Sequence, residues 1–145
     1  MFRHILIPTD GSELAEKVIR YGVALAKEQS AKITALVVSR PFHVVTMEPG
    51  MLADTPAAYA KHVAERAKTY LDVVSQAAKA AGVTCSTETI EHEHPYQGII
   101  DTAKNGECDL IVLASHGRSG MSGIVLGSQT VKVLTHSKVP VLVYR

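Results

Sequence analysis

Hydrophobic positions divide this chain into short apolar runs and longer segments with helical spacing. The longest segment carries apolar residues every three or four positions, among them Ala67, Leu71 and Val74, which is typical of a helix with one buried face. Shorter runs that are apolar or alternating indicate β-strands. The predicted strands are Phe2–Pro8, Ala31–Ser39, Val83–Glu91, Asp109–Ala114 and Val139–Tyr144, and the predicted helices are Ser12–Gln29, Thr55–Ala81, Pro95–Asn105 and about Ser128–His136.

Residues with strong preferences for helix ends support these boundaries. Thr55 and the proline after it are typical of a helix cap and a first-turn residue, and Gly82 is typical of a helix end. Gly106 is expected to end the next helix in the same way. Ser12 is the expected cap of the first helix, whereas Asp10 is equally suited to capping and to contact with a ligand.

The alternation of strands and helices predicts an α/β fold with an open parallel five-stranded sheet and helices on both faces, as in flavodoxin-like and Rossmann-like folds. The first, second and fourth strands are almost entirely Ile, Leu and Val and suit the centre of the sheet, whereas the third is mostly polar and suits an edge. The expected strand order is therefore 3-2-1-4-5. Residues 1–145 are expected to form one domain, and Arg40–Asp54 is expected to be irregular and mobile.

Composition and charge exclude several classes of protein. The chain has 145 residues, with 15 basic and 14 acidic side chains and a net charge of +1. It lacks a basic stripe with interleaved aromatic residues, so the sequence does not predict nucleic-acid binding. No apolar run is long enough to predict a membrane span, and the first residues lack the pattern of a signal peptide. Cys85 and Cys108 are isolated, which fits a reduced, cytoplasmic protein.

A glycine- and serine-rich loop follows the fourth predicted strand and precedes a predicted helix. Such a loop presents several backbone N–H groups around a space the size of an anion. Glycine allows close approach of the backbone to a phosphate, and Arg118 adds a cation. The loop therefore predicts phosphate binding, and its hydroxyl groups belong to Ser115, Ser119, Ser122 and Ser128.

A second loop, Pro8-Thr9-Asp10-Gly11-Ser12, follows the first predicted strand. In the expected strand order the first and fourth strands are neighbours, and ligands of open α/β sheets bind where the strand order reverses. Asp10 could accept hydrogen bonds from a ribose diol, and Val37 and Val38 could cover one face of a base. The two loops together indicate a nucleotide site, without specifying which nucleotide.

The whole chain resembles the universal stress protein family. Nucleotide-binding members of that family carry Gly, two residues, Gly, nine residues, and then Gly-Ser or Gly-Thr; here Ala114, Gly117 and Gly127-Ser128 have that spacing. The Pro8-Thr9-Asp10 segment and the closing residues 137–143 are also similar to the family. Ala114 stands where the family pattern has glycine, and positive φ there would cost roughly 1–2 kcal/mol.

The resemblance implies binding of ATP, with a divalent metal such as Mg²⁺ on its phosphates. The nucleotide-binding residues it implies are Pro8, Thr9, Asp10 and Val37 beside the adenosine, Leu113, Ala114 and Gly117 beneath the nucleotide, and Gly127, Ser128 and the backbone of Gln129 at the phosphates. It also implies homodimers. The principal hypothesis is an ATP-binding stress-response or sensor protein with slow or no hydrolysis.

Enzymatic alternatives have less support in the sequence. Neither a Walker motif nor a dinucleotide fingerprint is present, so a weak ATPase or phosphotransferase at the same site is the alternative, with His116 as a conceivable base. His92 and His94 could supply two metal ligands, but without a third a solvated turn is favoured. A flavodoxin-like carrier would need aromatic residues beside its cofactor, and the chain has no Trp. A response-regulator receiver would need an acidic cluster.

The last predicted strand, Val139–Tyr144, falls at an edge of the expected sheet. Unpaired backbone groups beside apolar side chains favour pairing with another strand. Antiparallel pairing with the same strand of a second copy is the economical solution, and a monomer with a shielded strand is the alternative.

Overall fold

The computed structural model describes residues 1–45, 55–118 and 126–145. Strands and helices alternate along nearly the whole chain. The elements are β1 (His4–Pro8), α1 (Glu13–Gln29), β2 (Lys32–Ser39), α2 (Phe42–Val45), α3 (Pro56–Ala81), β3 (Cys85–Glu91), α4 (Pro95–Asn105), β4 (Leu110–Ala114), α5 (Ser128–His136) and β5 (Val141–Tyr144).

The five strands form one parallel sheet with the order β3-β2-β1-β4-β5. Strand β1 lies at the centre, where Ile5 is aligned with Ile33 of β2 on one side and with Leu110 of β4 on the other. The chain therefore runs outward from β1 in one direction and later in the other. The predicted fold class and strand order are confirmed.

Helices cover both faces of the sheet. Helices α1 and α3 pack on one face, around Ile5, Ile7 and Val74, while α4 and α5 pack on the other, around Leu6 and Val133. Successive side chains of β1 point to opposite faces, and Ile5, Leu6 and Ile7 are completely buried, which explains why the middle of this strand is apolar. Strand β3 is exposed along most of its length, in agreement with its polar sequence and its position at the edge.

The helix ends agree with the predicted caps. The Thr55 hydroxyl accepts a hydrogen bond from the Ala58 N–H, and the Ser12 hydroxyl accepts one from the Ala15 N–H. Gly82 ends α3 in the left-handed conformation, with φ of 74°. Helix α4 ends before Gly106 as predicted, but Gly106 has φ of −83° and the left-handed residue is Glu107, with φ of 54°.

Arg40–Asp54 was expected to be irregular, but its described part contains the short helix α2. Phe42 packs against Tyr59 of α3, with their ring centroids 5.4 Å apart, and the Tyr59 hydroxyl donates to the Arg40 carbonyl oxygen over 2.6 Å. A four-residue helix is too short to produce a helical period in the sequence. Residues 46–54, on which the expectation of mobility mainly fell, lie outside the described residues.

Among the helices in the described ranges, none combines the length and the apolar character required to span a lipid bilayer.

Candidate functional site

A cavity of about 640 Å³ opens at the carboxyl ends of β1, β2 and β4, where the strand order reverses. Its size is that of a typical small-molecule site. The lining residues are Pro8, Thr9, Asp10, Ala15, Leu36, Val38, Pro95, Ile99, Leu113, Ala114, His116, Gly117, Arg118, Leu126, Gly127, Ser128, Gln129, Thr130 and Val133.

Asp10 joins the loop after β1 to the loop after β4. One carboxylate oxygen, Oδ1, accepts a hydrogen bond from the Ser12 N–H over 3.0 Å, and the other, Oδ2, accepts one from the Arg118 N–H over 3.0 Å. Because Ser12 itself caps α1, Asp10 is not the capping residue of that helix. Its carboxylate instead holds the two loops side by side at the mouth of the cavity.

Gly117 permits this contact. A β-carbon added at Gly117 would collide with Oδ2 of Asp10. The requirement for glycine is therefore one of space between the loops, because a side chain there would push the carboxylate away from the Arg118 N–H.

The inner part of the cavity is apolar. Leu36 and Val38 of β2 lie there with Leu113 of β4, opposite Ile99 of α4 and Val133 of α5. These side chains continue the core under α4 and α5, so a flat apolar group could occupy the space between the sheet and these helices.

Val37, which was predicted to contact the adenosine, does not line the cavity. It is 7% exposed and packs in the core under α1 and α3. Side chains alternate between the two faces of a strand, so Leu36 and Val38 face the cavity and Val37 faces away from it. The other predicted site residues, from Pro8 to Gln129, all line the cavity.

The amino end of α5 forms the polar end of the cavity. Gly127 precedes the helix, donates its N–H to the Ser115 carbonyl oxygen over 2.6 Å, and has no side chain that could cap the first turn. The first backbone hydrogen bond at this end runs from the Val131 N–H to the Gly127 carbonyl oxygen. The preceding N–H groups belong to Ser128, Gln129 and Thr130, which line the cavity.

Gly127 is held against the start of the same loop. A β-carbon at this position would lie 3.2 Å from the α-carbon of His116, closer than side chains normally pack. The Thr130 hydroxyl donates to the Ala114 carbonyl oxygen over 2.9 Å and thereby joins α5 to the end of β4.

Ala114, the departure from the family pattern, lies in β4 aligned with Tyr144 of β5. Among the described residues other than glycine, positive φ occurs at Ser30 and Glu107. Ala114 therefore carries no left-handed strain, and its methyl group only narrows the cavity.

The sequence did not indicate a role for the side chain of Gln129. Its Oε1 accepts a hydrogen bond from the Tyr96 N–H of α4 over 3.0 Å. The wall residues Leu36, Ile99 and Val133 were also missed, although the spacing of Leu36 and Val38 along β2 was a signal that they share a face.

Arg118 and His116 bring polar side chains to the mouth of the cavity. The guanidinium carbon of Arg118 lies 5.2 Å from the ring centroid of Tyr70 on α3, a cation–π contact. The Nδ1 atom of His116 lies 3.2 Å from the Ser115 hydroxyl oxygen. Two loop serines that were expected to add hydroxyl groups, Ser119 and Ser122, lie outside the described residues.

The histidines before α4 make contacts with neighbouring side chains and backbone. Nδ1 of His92 accepts a hydrogen bond from the His94 N–H, and Glu93 is bonded to His43 over 2.8 Å. The hydrogen bond from His43 lowers the pKa of the Glu93 carboxyl below its usual value. Within the part of the chain that the structure describes, no three His, Cys, Asp or Glu side chains form a group able to hold a metal ion.

Comparisons with known proteins agree with the fold and with the sequence motifs. A profile of the universal stress protein family matches residues 1–145. The universal stress protein YxiE of Bacillus subtilis is 34% identical, over all of this chain and all of that protein. The structure of the hypothetical protein MJ0577 superimposes with a TM-score of 0.82 at 26% identity, covering 99% of this chain and 95% of that one; MJ0577 is a universal stress protein of Methanocaldococcus jannaschii.

Two further solved structures contain nucleotides. A universal stress protein in complex with cAMP has a TM-score of 0.74 and 21% identity, with 99% of this chain and 97% of that chain covered. The universal stress protein from Archaeoglobus fulgidus in complex with dAMP has a TM-score of 0.71 and 18% identity, with 100% of this chain and 98% of that chain covered. The match of the family profile from the first residue to the last establishes that this chain belongs to the universal stress protein family.

Proposed function

We propose that this protein binds an adenine nucleotide, ATP with Mg²⁺ on its phosphates, in the cavity between the loops after β1 and β4. The observation that carries the proposal is the combination of an apolar interior with a helix amino end whose first-turn N–H groups lack a side-chain cap. A nucleotide has matching parts, since its base is flat and largely apolar on its faces and its phosphates are anionic.

The phosphates would bind at the amino end of α5. N–H groups at the start of a helix point outward, and the helix dipole favours negative charge there. Ser128 adds a hydroxyl group and Arg118 a positive charge to the same part of the lining.

The base would lie in the apolar interior between Leu36, Val38 and Ile99. The ribose would then lie near Asp10, at the junction of the two loops. Solved universal stress proteins in complex with cAMP and with dAMP support an adenine nucleotide as the class of ligand.

The Mg²⁺ ion would bind to the phosphate oxygens of the nucleotide. Magnesium is usually bound through substrate phosphates and one or two carboxylates and keeps several of its waters. Asp10 is the carboxylate that lines the cavity, and each of its oxygens already accepts a hydrogen bond from a backbone N–H group. This arrangement supports slow or absent hydrolysis, because phosphoryl transfer needs a fixed metal and an oriented nucleophile. In this proposal the nucleotide serves as a signal, and the protein acts as a stress-response sensor.

Two measurements test the proposal. Acid extraction of protein purified without added nucleotide, followed by chromatography, should release an adenine nucleotide. ATP with Mg²⁺ at one hundred times its dissociation constant should stabilise the nucleotide-free protein by about 2.7 kcal/mol, and raise its Tm by roughly 5–10 °C. The proposal would be contradicted if no adenine nucleotide were released and ATP with Mg²⁺ also caused no thermal shift.

A weak ATPase or phosphotransferase at the same site is the alternative, because His116 lines the cavity. Phosphate release that disappears in both Asp10→Asn and His116→Ala would establish it. Turnover that is unchanged in both variants would come from a contaminating enzyme.

We also propose that the protein forms a homodimer through β5. This strand is at the edge of the sheet, and all four of its residues are half-exposed. Val131 and Leu134 of α5, the helix that packs beside β5, are 44% and 42% exposed. Antiparallel pairing of two β5 strands would satisfy the free backbone groups and cover apolar side chains.

Light scattering at micromolar concentration tests the dimer. The wild-type protein should have about twice the chain mass of 15.6 kDa. Val131→Lys should weaken association, whereas Val73→Lys, at an equally exposed position on α3, should leave it unchanged. A wild-type protein with the mass of a single chain would contradict the dimer.

The two cysteines of the protein are unpaired, and Cys108 is buried. We propose that the protein works in the reducing environment of the cytoplasm.

A further inference from the structure

Three residues of α5 contact one residue of α4. Gln129 accepts the Tyr96 N–H, the Nζ atom of Lys132 lies 5.4 Å from the centroid of the Tyr96 ring, and the His136 ring lies 5.3 Å from it. Positions 129, 132 and 136 are three and four residues apart and therefore lie on one side of α5. We call these three contacts the Tyr96 clasp.

The Gln129 bond supplies a cap that α4 does not provide for itself. His94, the residue before α4, makes no side-chain capping bond, and Pro95 has no N–H to satisfy. Gln97 and Gly98 donate their N–H groups to the His94 carbonyl oxygen. The Tyr96 N–H is satisfied by Gln129, a side chain from a different helix.

The clasp connects the two helices that enclose the cavity. Pro95 and Ile99 of α4 lie on one side, and Ser128 and Val133 of α5 lie on the other. The side chain of Gln129 therefore accepts a hydrogen bond from α4, whereas its backbone N–H belongs to the first turn of α5 at the polar end of the cavity.

We propose that Gln129 is a positioning residue, whose side-chain bond to Tyr96 holds the amino end of α5 where its N–H groups meet the first phosphate of a nucleotide. The inference rests on the proposed nucleotide binding and adds to it the side chain that aligns the phosphate site. Loss of the bond should release the start of α5 from α4 while the apolar walls remain. Phosphate recognition should therefore weaken more than recognition of the base and ribose.

The test compares AMP with adenosine in Gln129→Met, which keeps the length of the side chain and removes its oxygen. Calorimetric titration should show about a tenfold loss of AMP affinity, which corresponds to 1.4 kcal/mol, and less than a twofold loss for adenosine. Hydrogen exchange at the Tyr96 amide should also become faster, since its acceptor is gone.

Gln97→Met is the matched control. Gln97 follows Tyr96, and its side chain bonds to Asp101 within α4 over 2.9 Å, so this variant makes the same chemical change without breaking the link to α5. It should keep the wild-type ratio of AMP affinity to adenosine affinity.

An unchanged affinity ratio in Gln129→Met would overturn the inference and leave nucleotide binding intact. Equal losses for AMP and adenosine would also overturn it, because they would indicate general damage to the fold. A wild-type protein that binds neither AMP nor ATP would instead refute the proposed function itself.

Discussion

Replacing Gly117 by alanine would put a methyl group where the Asp10 carboxylate now lies. The carboxylate would have to move, and Oδ2 would lose the hydrogen bond from the Arg118 N–H, which spans 3.0 Å. The loop after β4 would then no longer be fixed to the loop after β1. Because both loops line the cavity, we expect weaker nucleotide binding rather than a failure to fold.

The size of the effect follows from the bond that is lost. A hydrogen bond to a charged group contributes about 1.5–3 kcal/mol. Gly117 and Arg118 are exposed, so water replaces part of the interaction and the lower end of that range applies. ATP binding would then have to bring the separated loops together again, and a cost of about 1.4 kcal/mol for doing so corresponds to a tenfold increase in the dissociation constant for ATP.

Titration calorimetry of nucleotide-free protein with ATP and Mg²⁺ measures this change, and thermal unfolding without ligand measures stability. Gly82→Ala is the control, because Gly82 has φ of 74° and open space around it, at the end of α3. That variant should lose roughly 1 kcal/mol of stability through left-handed strain and keep its ATP affinity. Wild-type ATP affinity in Gly117→Ala would show that contact between the two loops does not shape the site.

Acid and thiol chemistry provide further tests of the described structure. Burial lowers the pKa of His4 below its usual 6.5, so the imidazole takes up a proton at higher pH in the unfolded chain than in the folded protein. The free energy of unfolding should therefore fall as the pH drops below 6.5. Urea titrations that give the same free energy of unfolding from pH 7.5 to 5 would contradict this. Burial acts to raise the pKa of Asp109, but hydrogen bonds from the N–H groups of His4 and Arg3 lower it below its usual 3.8. The contribution of Asp109 to stability should therefore be lost only below pH 3.8. Asp109→Ala should remove an acid-unfolding step in that range. Burial raises the pKa of both thiols, to about 11 for Cys108, which is also the more deeply buried of the two. Iodoacetamide at pH 8 should therefore modify the half-buried Cys85 first in the native protein, as peptide mass analysis would show. Equal modification of both thiols would contradict the burial of Cys108.

Most of the fold was predictable because the five strands and the four longer helices each have a clear local signal. The apolar sequence of β1 indicated a central strand, the polar sequence of β3 indicated an edge, and Gly82 marked the end of α3. Helix α2 was not predictable, since four residues form one turn and leave no period.

Within the site, the chain order placed Asp10 and Gly117 together once the strand order was known. The sequence could not show that Val37 faces away from the cavity, because alternation along a strand shows which residues share a face and not which helices cover that face. Gln129 could not be paired with Tyr96 from the sequence either. That contact depends on the separation of α4 and α5, which is set by packing across 33 residues of sequence.

Amide chemical shifts of the ¹⁵N-labelled, nucleotide-free protein during titration with ATP and Mg²⁺ test both nucleotide binding and its location. The largest changes should occur at the N–H groups of Ser128, Gln129 and Thr130 at the start of α5, with further changes at Gly117 and Asp10. Spectra that do not change at millimolar ATP, or changes confined to residues away from the ends of β1 and β4, would contradict a nucleotide site in this cavity.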